Sequence, residues 1–243
     1  MAQARRRDLM IDYEFLGFDG PSLAYAEGDA TLAGALRPGS RNRVMLAGPV
    51  GDARRLLPRL AEFPAGTWVN CTRGAVSPGP DGWAKPLGGD WIWGWHEPAL
   101  GSPEPVPPEI DGVVWTDGAD ADEINAVLDA SFPGASMRPG AARVAWWLGA
   151  RDGDGRLLAV VAGAREAPGR RMWIASLGVL PSARGRGVGG ALTLRAMARA
   201  ESEPVEGRRL VDFGALLSEP RLPGFYRRLG FTIDRELTSF ELR

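Results

Sequence analysis

Cysteine, histidine and lysine are almost missing from this chain, which holds one of each: Cys71, His96 and Lys85. A single cysteine excludes an intramolecular disulfide and makes a reducing cytoplasm the simplest compartment. A catalytic thiol at Cys71 needs a paired base, and the lone histidine is distant in sequence. So small a stock of cysteine and histidine gives no reason to expect a metal. Excess charge of either sign is missing too. The formal net charge is -1, so no basic surplus exists to neutralise phosphates, and nucleic acid is not expected as a main partner. No apolar run is long enough to cross a bilayer, so a soluble protein with no membrane partner is expected. Arg5-Arg6-Arg7 is followed by Leu9-Met10-Ile11, but Asp12 and Glu14 interrupt at once, so no secretion core forms.

The chain does have a glycine-rich run, Arg184-Gly185-Arg186-Gly187-Val188-Gly189-Gly190, after an extended apolar stretch, Met172 to Leu180, and before a helical pattern, Ala191 to Ala200. Glycines at a strand end let successive backbone N–H groups face one concavity, and a helix N-terminus adds partial positive charge. Strand, loop and helix in that order make an anion cradle. The two best-known phosphate loops do not account for it. A P-loop needs Lys-Ser/Thr after its last glycine, and Ala191-Leu192 stands there. The dinucleotide fingerprint matches in letters from Gly185 to Gly190. It also expects an acidic residue at the end of a second strand, whereas Glu203 and Glu206 precede the next strand.

The run resembles the pyrophosphate loop of the GNAT superfamily of acyl-CoA-dependent N-acyltransferases, Gln/Arg-x-x-Gly-x-Gly/Ala, with Arg184, Gly187 and Gly189 in its places. Leu177 to Gly185 is similar to that family's fourth strand entering the loop. Arg208 to Leu217 resembles its fifth strand, and Gly224 to Phe231 its last helix with the Tyr-x-x-Leu-Gly-Phe ending. The resemblance covers residues 112 to 243. It implies an α/β fold with a mixed, mostly antiparallel central sheet flanked by helices, joined here to an additional N-terminal α/β lobe.

The element pattern agrees with that order. Val113-Val114-Trp115 reads as a strand, and a helix follows with Ile124, Val127 and Leu128 at core spacing, ended by Phe132-Pro133-Gly134. Val144 to Ala150 and Leu157 to Arg165 flank Asp152-Gly153-Asp154-Gly155, a hairpin turn. In the loop helix, Arg195, Arg199 and Ser202 share one face, so the rest should pack on the sheet. Four prolines within Ser102 to Glu109 mark a break, which divides the chain into residues 1–109 and 110–243. In the first part, Arg43 to Gly48, Gly51 to Phe63 and Trp68 to Cys71 read as strand, helix, strand with a parallel crossover. Trp91, Trp93 and Trp95 alternate onto one strand face, as core or as a stacking platform. Gly48-Pro49-Val50-Gly51 is a poor cradle because proline removes a donor. The first lobe is either a degenerate acyltransferase-like lobe or an unrelated α/β lobe that grips substrate.

The resemblance implies acetyl-CoA as cosubstrate. Its pyrophosphate would take backbone N–H groups from Arg184, Gly185, Arg186, Gly187, Val188, Gly189 and Gly190, with the two arginines available for charge-assisted bonds. Arg186 reads equally well as a solvated loop residue. Leu177, Gly178 and Val179 would line the pantetheine arm through backbone groups. Tyr226 matches the family's tyrosine, whose phenol of pKa about 10 can protonate a departing thiolate; its alternative is to anchor the last helix. No carboxylate lies between Met172 and Leu180 to act as base. Ser176 could at most position a water, and Glu166, Asp212 and Glu219 are the alternatives. Deprotonating a lysine-like ammonium at pH 7 costs about 5 kcal/mol and an α-amine only about 1, so the missing carboxylate leans toward the α-amine. The expected reaction is acetyl or short acyl transfer to an amine of a small molecule or peptide. The competing expectation is an acyl-CoA sensor or scaffold without turnover. Acceptor, acyl length and oligomeric state, homodimer or otherwise, are not written in the sequence.

Overall fold

The computed structural model describes residues 23–36, 42–76, 84–86, 89–97, 107–166, 171–203 and 210–243. The N-terminal arginines, the prolines at 103 and 105, Glu206 and the side chain of Glu166 lie outside them. The chain divides into two compact units. One contains residues 1–93, 215–222 and 234–243, and the other residues 94–214 and 223–233. Strands β6 (Trp91–His96), β11 (Leu210–Leu216) and β12 (Thr232–Leu242) give residues to both.

In the first unit, β1 (Leu23–Glu27) and β2 (Ala30–Ala35) form a hairpin through Gly28, whose φ of 55° suits the turn. Strand β3 (Arg43–Ala47) pairs antiparallel with β2 and parallel with β4 (Trp68–Thr72). Parallel pairing requires a crossover, supplied by α1 (Val50–Leu56) and a 3-10 turn over Leu57–Glu62. Thus the expected strand, helix, strand unit is present, with its helix ending early in a tighter turn that contains Pro58. β12 pairs antiparallel with β4, and the short β5 (Ala84–Pro86) with β12. Leu32, Leu46, Leu60, Val69 and Phe240 make the core, and Phe63 lies against Gly34, where an added Cβ would sit 2.1 Å from its ring.

In the second unit the strand order is β7 (Val114–Asp117), β8 (Val144–Arg151), β9 (Leu157–Glu166), β10 (Arg171–Val179), β11, antiparallel until the last pair, which is parallel. Helix α2 (Ala121–Ser131) starts at Asp120, whose carboxylate accepts the Asp122 N–H at 2.9 Å. The β8–β9 hairpin turns on Asp152 and Gly155, as expected: Asp152 accepts the N–H groups of Asp154 and Arg156, and Gly155 has φ 84°. Helix α3 (Val188–Ser202) follows β10, and α4 (Leu222–Arg228) follows β11.

Adjacent residues of β10 show the layering. A Cβ on Gly178 would meet Ser131 and Leu128 of α2, whereas Val179 touches Gly189 of α3, so the two helices cover opposite sheet faces. Leu128, Val160 and Leu180 belong to the core under α2.

The two units repeat one topology. β1-β2-β3-α1-β4 and β8-β9-β10-α3-β11 share strand senses, antiparallel, antiparallel, then parallel across a helix. This repeat agrees with a first lobe of acyltransferase-like fold.

Candidate functional site

Strand β10 ends at Val179, and after Leu180 a 3-10 turn over Pro181–Ala183 passes into an exposed turn at 184–187. Gly185 (φ 77°) and Gly187 (φ 83°) are left-handed, a conformation that glycine adopts without a steric penalty. Gly187 is the N-cap of α3, with no side-chain cap, and the first helical bond runs from Ala191 N–H to Gly187 C=O. The amides of Val188, Gly189 and Gly190 therefore precede the helical ladder at the positive end of a fifteen-residue dipole. No atom lies within 4 Å of a Cβ built on Gly185, and the Cβ of Gly187 would come no nearer than 3.8 Å to Ile110. The turn is open to an anion.

The helix starts at Val188 rather than near Ala191, which puts Gly189 and Gly190 inside it. Space explains Gly189, since its Cβ would press on Val179 at 3.3 Å. Gly178 is likewise a packing glycine, whose Cβ would stand 2.6 Å from Ser131 Oγ. Arg184 braces the turn: its Nε donates to the Val179 carbonyl at 3.2 Å and its Nη2 to the Ser131 carbonyl at 3.3 Å. Arg186 is exposed at the tip.

The strand beside this turn is partly uncovered. Parallel pairing of β10 with β11 runs from Arg171–Leu210 to Ile174–Phe213 and stops, although β10 continues to Val179. Its register with β9 is irregular between Ala175 and Gly178. Leu180 N–H donates to Leu158 of β9, so by alternation Leu177 and Val179 direct their N–H and C=O groups away from β9. An extended amide-bearing chain could pair there as an added strand.

Ser176 sits in the irregularity with φ 51°, the only positive φ of a non-glycine residue among those described, at a cost of about 1–3 kcal/mol. Expected to position at most a water, its hydroxyl is committed to one residue: it accepts the Met137 N–H at 3.0 Å and donates to the Met137 carbonyl at 2.9 Å.

Tyr226 lies on α4 with only 5% of its surface exposed. Its ring stacks on Phe213, centroids 3.7 Å apart, and meets Phe225 and Phe231 edge-on. Phe213 is the β11 member of the last β10–β11 pair, so the tyrosine stands where the strands cease to pair. Burial pushes its phenol above the ordinary value, which keeps it protonated at neutral pH. Among the base candidates, Asp212 is fully buried, not an exposed carboxylate, and Glu219 is exposed. Cys71 is buried in the first unit with its thiol pushed up to about 12 by desolvation, an inert environment. Among the described residues no group of three or more His, Cys, Asp or Glu is placed to hold a metal. No helix there is long and apolar enough to span a membrane.

Residues 143–233, which hold the hairpin, the loop and Tyr226, match the family model for the acetyltransferase (GNAT) domain. This stretch is similar to a GNAT acetyltransferase domain. The likeness in fold runs beyond the matched residues. A GCN5-related N-acetyltransferase from Kribbella flavida superposes over 100% of this chain and 96% of its own, with TM-score 0.57 and 18% identity. A GNAT-family protein from Novosphingobium aromaticivorans covers 85% of this chain and 89% of its own, with TM-score 0.54 and 23% identity. A GCN5-related N-acetyltransferase from Sphaerobacter thermophilus covers 88% and 77%, with TM-score 0.51 and 18% identity. No curated protein is significantly similar in sequence.

Proposed function

We propose that residues 110–243 form an N-acetyltransferase that moves an acetyl or short acyl group from acyl-CoA to an amine of a small molecule or peptide. One observation carries the reading. An open, left-handed glycine turn at a helix N-terminus adjoins a strand whose backbone is unpaired with β11 past Ile174. A ligand that joins a diphosphate to a chain of amides, as acetyl-CoA does, suits both parts at once. The pyrophosphate would meet the amides from Arg184 to Gly190, and the pantetheine amides would meet the backbone of Leu177 and the N–H of Val179, whose carbonyl accepts from Arg184. Gly178 would supply the close packing that holds this strand against α2.

In the reaction the amine nitrogen forms a bond to the thioester carbon and the carbon–sulfur bond breaks. The amine gives up a proton to solvent or a base, and the departing thiolate gains one. Tyr226 is the donor in this account: it lies beside the last β10–β11 pair and burial keeps its phenol protonated. β10 carries no carboxylate, which favours an acceptor that is cheap to deprotonate, such as an α-amine.

Thiol release from acetyl-CoA, followed over a panel of α-amino and side-chain amines, tests the reading. Turnover is expected and should be greatest with α-amines. Tight acetyl-CoA binding without turnover on any amine would instead identify an acyl-CoA sensor.

A further inference from the structure

Beyond the transfer step, the geometry points to Ser176 as a positioning residue for the acceptor side of the same site, an inference that rests on the acyltransferase reading. The hydroxyl of Ser176 grips both backbone groups of Met137, at 3.0 and 2.9 Å. Met137 belongs to the segment from Phe132 to Arg143 that joins α2 to β8. At its far end the Arg143 carbonyl accepts the Arg165 N–H of β9 at 2.8 Å, and next to Met137 the fastenings run to α2 and to the segment itself. Arg138 reaches Asp129 at 2.8 Å, Asn125 at 3.4 Å and the Pro133 carbonyl at 3.0 Å. Ser176 is the tie that binds it to β10, two residues beyond the last pair with β11.

The location gives that tie a function. The thioester would lie along β10 past Ile174, and the chain fastened at that point, outside the sheet, is the stretch around Met137. An incoming amine meets this wall. Both bonds from Ser176 go to backbone groups, so they fix where the wall stands and leave its side chains free to select the acceptor. The left-handed backbone at Ser176 supports the assignment. A serine in place of glycine there is disfavoured locally, and the paired bonds to Met137 are what the hydroxyl contributes in return.

The test uses the full chain, acetyl-CoA and the fastest-acetylated member of a panel of amino-acid amides, with Ser176→Ala and Ser176→Gly. Alanine keeps the backbone disfavoured and loses the hydroxyl. Glycine relieves the backbone, so it folds even if the alanine variant does not. In both, KM for the amide is expected to rise at least tenfold, with kcat and acetyl-CoA affinity within twofold of wild type and faster amide exchange at Met137. A purely structural role predicts a lower melting temperature in Ser176→Ala, recovery in Ser176→Gly and an unmoved KM. That result overturns the proposal and leaves the acyltransferase reading intact. If the wild type binds acetyl-CoA and acetylates no amide or other amine, both fall together.

Discussion

At the scale of single residues, Tyr226 and Cys71 show burial acting on two titratable groups with different outcomes. Tyr226→Phe keeps the ring that stacks on Phe213 and removes only the hydroxyl, so the fold and acetyl-CoA affinity should hold. Turnover in a thiol-release assay should fall by about 10²-fold or more, the usual contribution of a positioned proton donor. The raised phenol also predicts the pH profile. Activity should climb as the amine loses its proton and show no descending limb from Tyr226 below about pH 10. Burial pushes the Cys71 thiol from its ordinary value of 9.0 up to about 12, so its contribution to stability is complete below about pH 9 and is lost as pH rises toward 12. An aromatic disulfide reagent should find no reactive thiol in the native chain and one per chain after unfolding. A native thiol reacting at the rate of free cysteine would contradict the buried placement.

At the scale of elements, the strands and helices of the second unit rest on close contacts that glycine alone permits. Gly163 of β9 holds the indole of Trp146, where an added Cβ would fall 2.1 Å away, and Gly178 holds Ser131. Gly163→Ala and Gly178→Ala should each lower unfolding free energy by about 1–3 kcal/mol, measured by urea denaturation. Much of this layer was legible in the sequence because its pattern is strong: Ile124, Val127 and Leu128 at core spacing in α2, and Asp152 to Gly155 as a turn between the two apolar runs of β8 and β9. The hairpin of β1 and β2 was not read, since Leu23–Ala35 is rich in alanine and glycine and lacks a clear period of two. The start of α3 was displaced because Gly189 and Gly190 look like loop. They sit in the helix instead, where a Cβ at Gly189 would crowd Val179 at 3.3 Å. Nothing in a lone serine announces a left-handed backbone, so Ser176 and its grip on Met137 were invisible. The depth of Asp212 was hidden for a similar reason, because one carboxylate in a strand carries no mark of its burial.

At the scale of the whole molecule, the two units share a topology and differ where a cofactor would enter. In the first unit β3 and β4 pair to Leu46–Cys71, and Thr72 closes the end, accepting the Gly48 N–H at 3.2 Å and donating to the Gly48 carbonyl at 3.0 Å. Pro49 stands at the N-cap of α1 where the second unit has its glycine turn. The chain should therefore bind one acyl-CoA and not two. Calorimetric titration of acetyl-CoA into the wild type, Gly187→Asn and Gly187→Asp tests the central assignment. Asparagine and aspartate both tolerate a left-handed backbone and are nearly equal in size, so they differ at the cradle chiefly in charge. The account predicts one site per chain, modest weakening with asparagine and loss of binding by about 100-fold or more with aspartate, from anion repulsion at the cradle. Equal affinity in the two variants would contradict it.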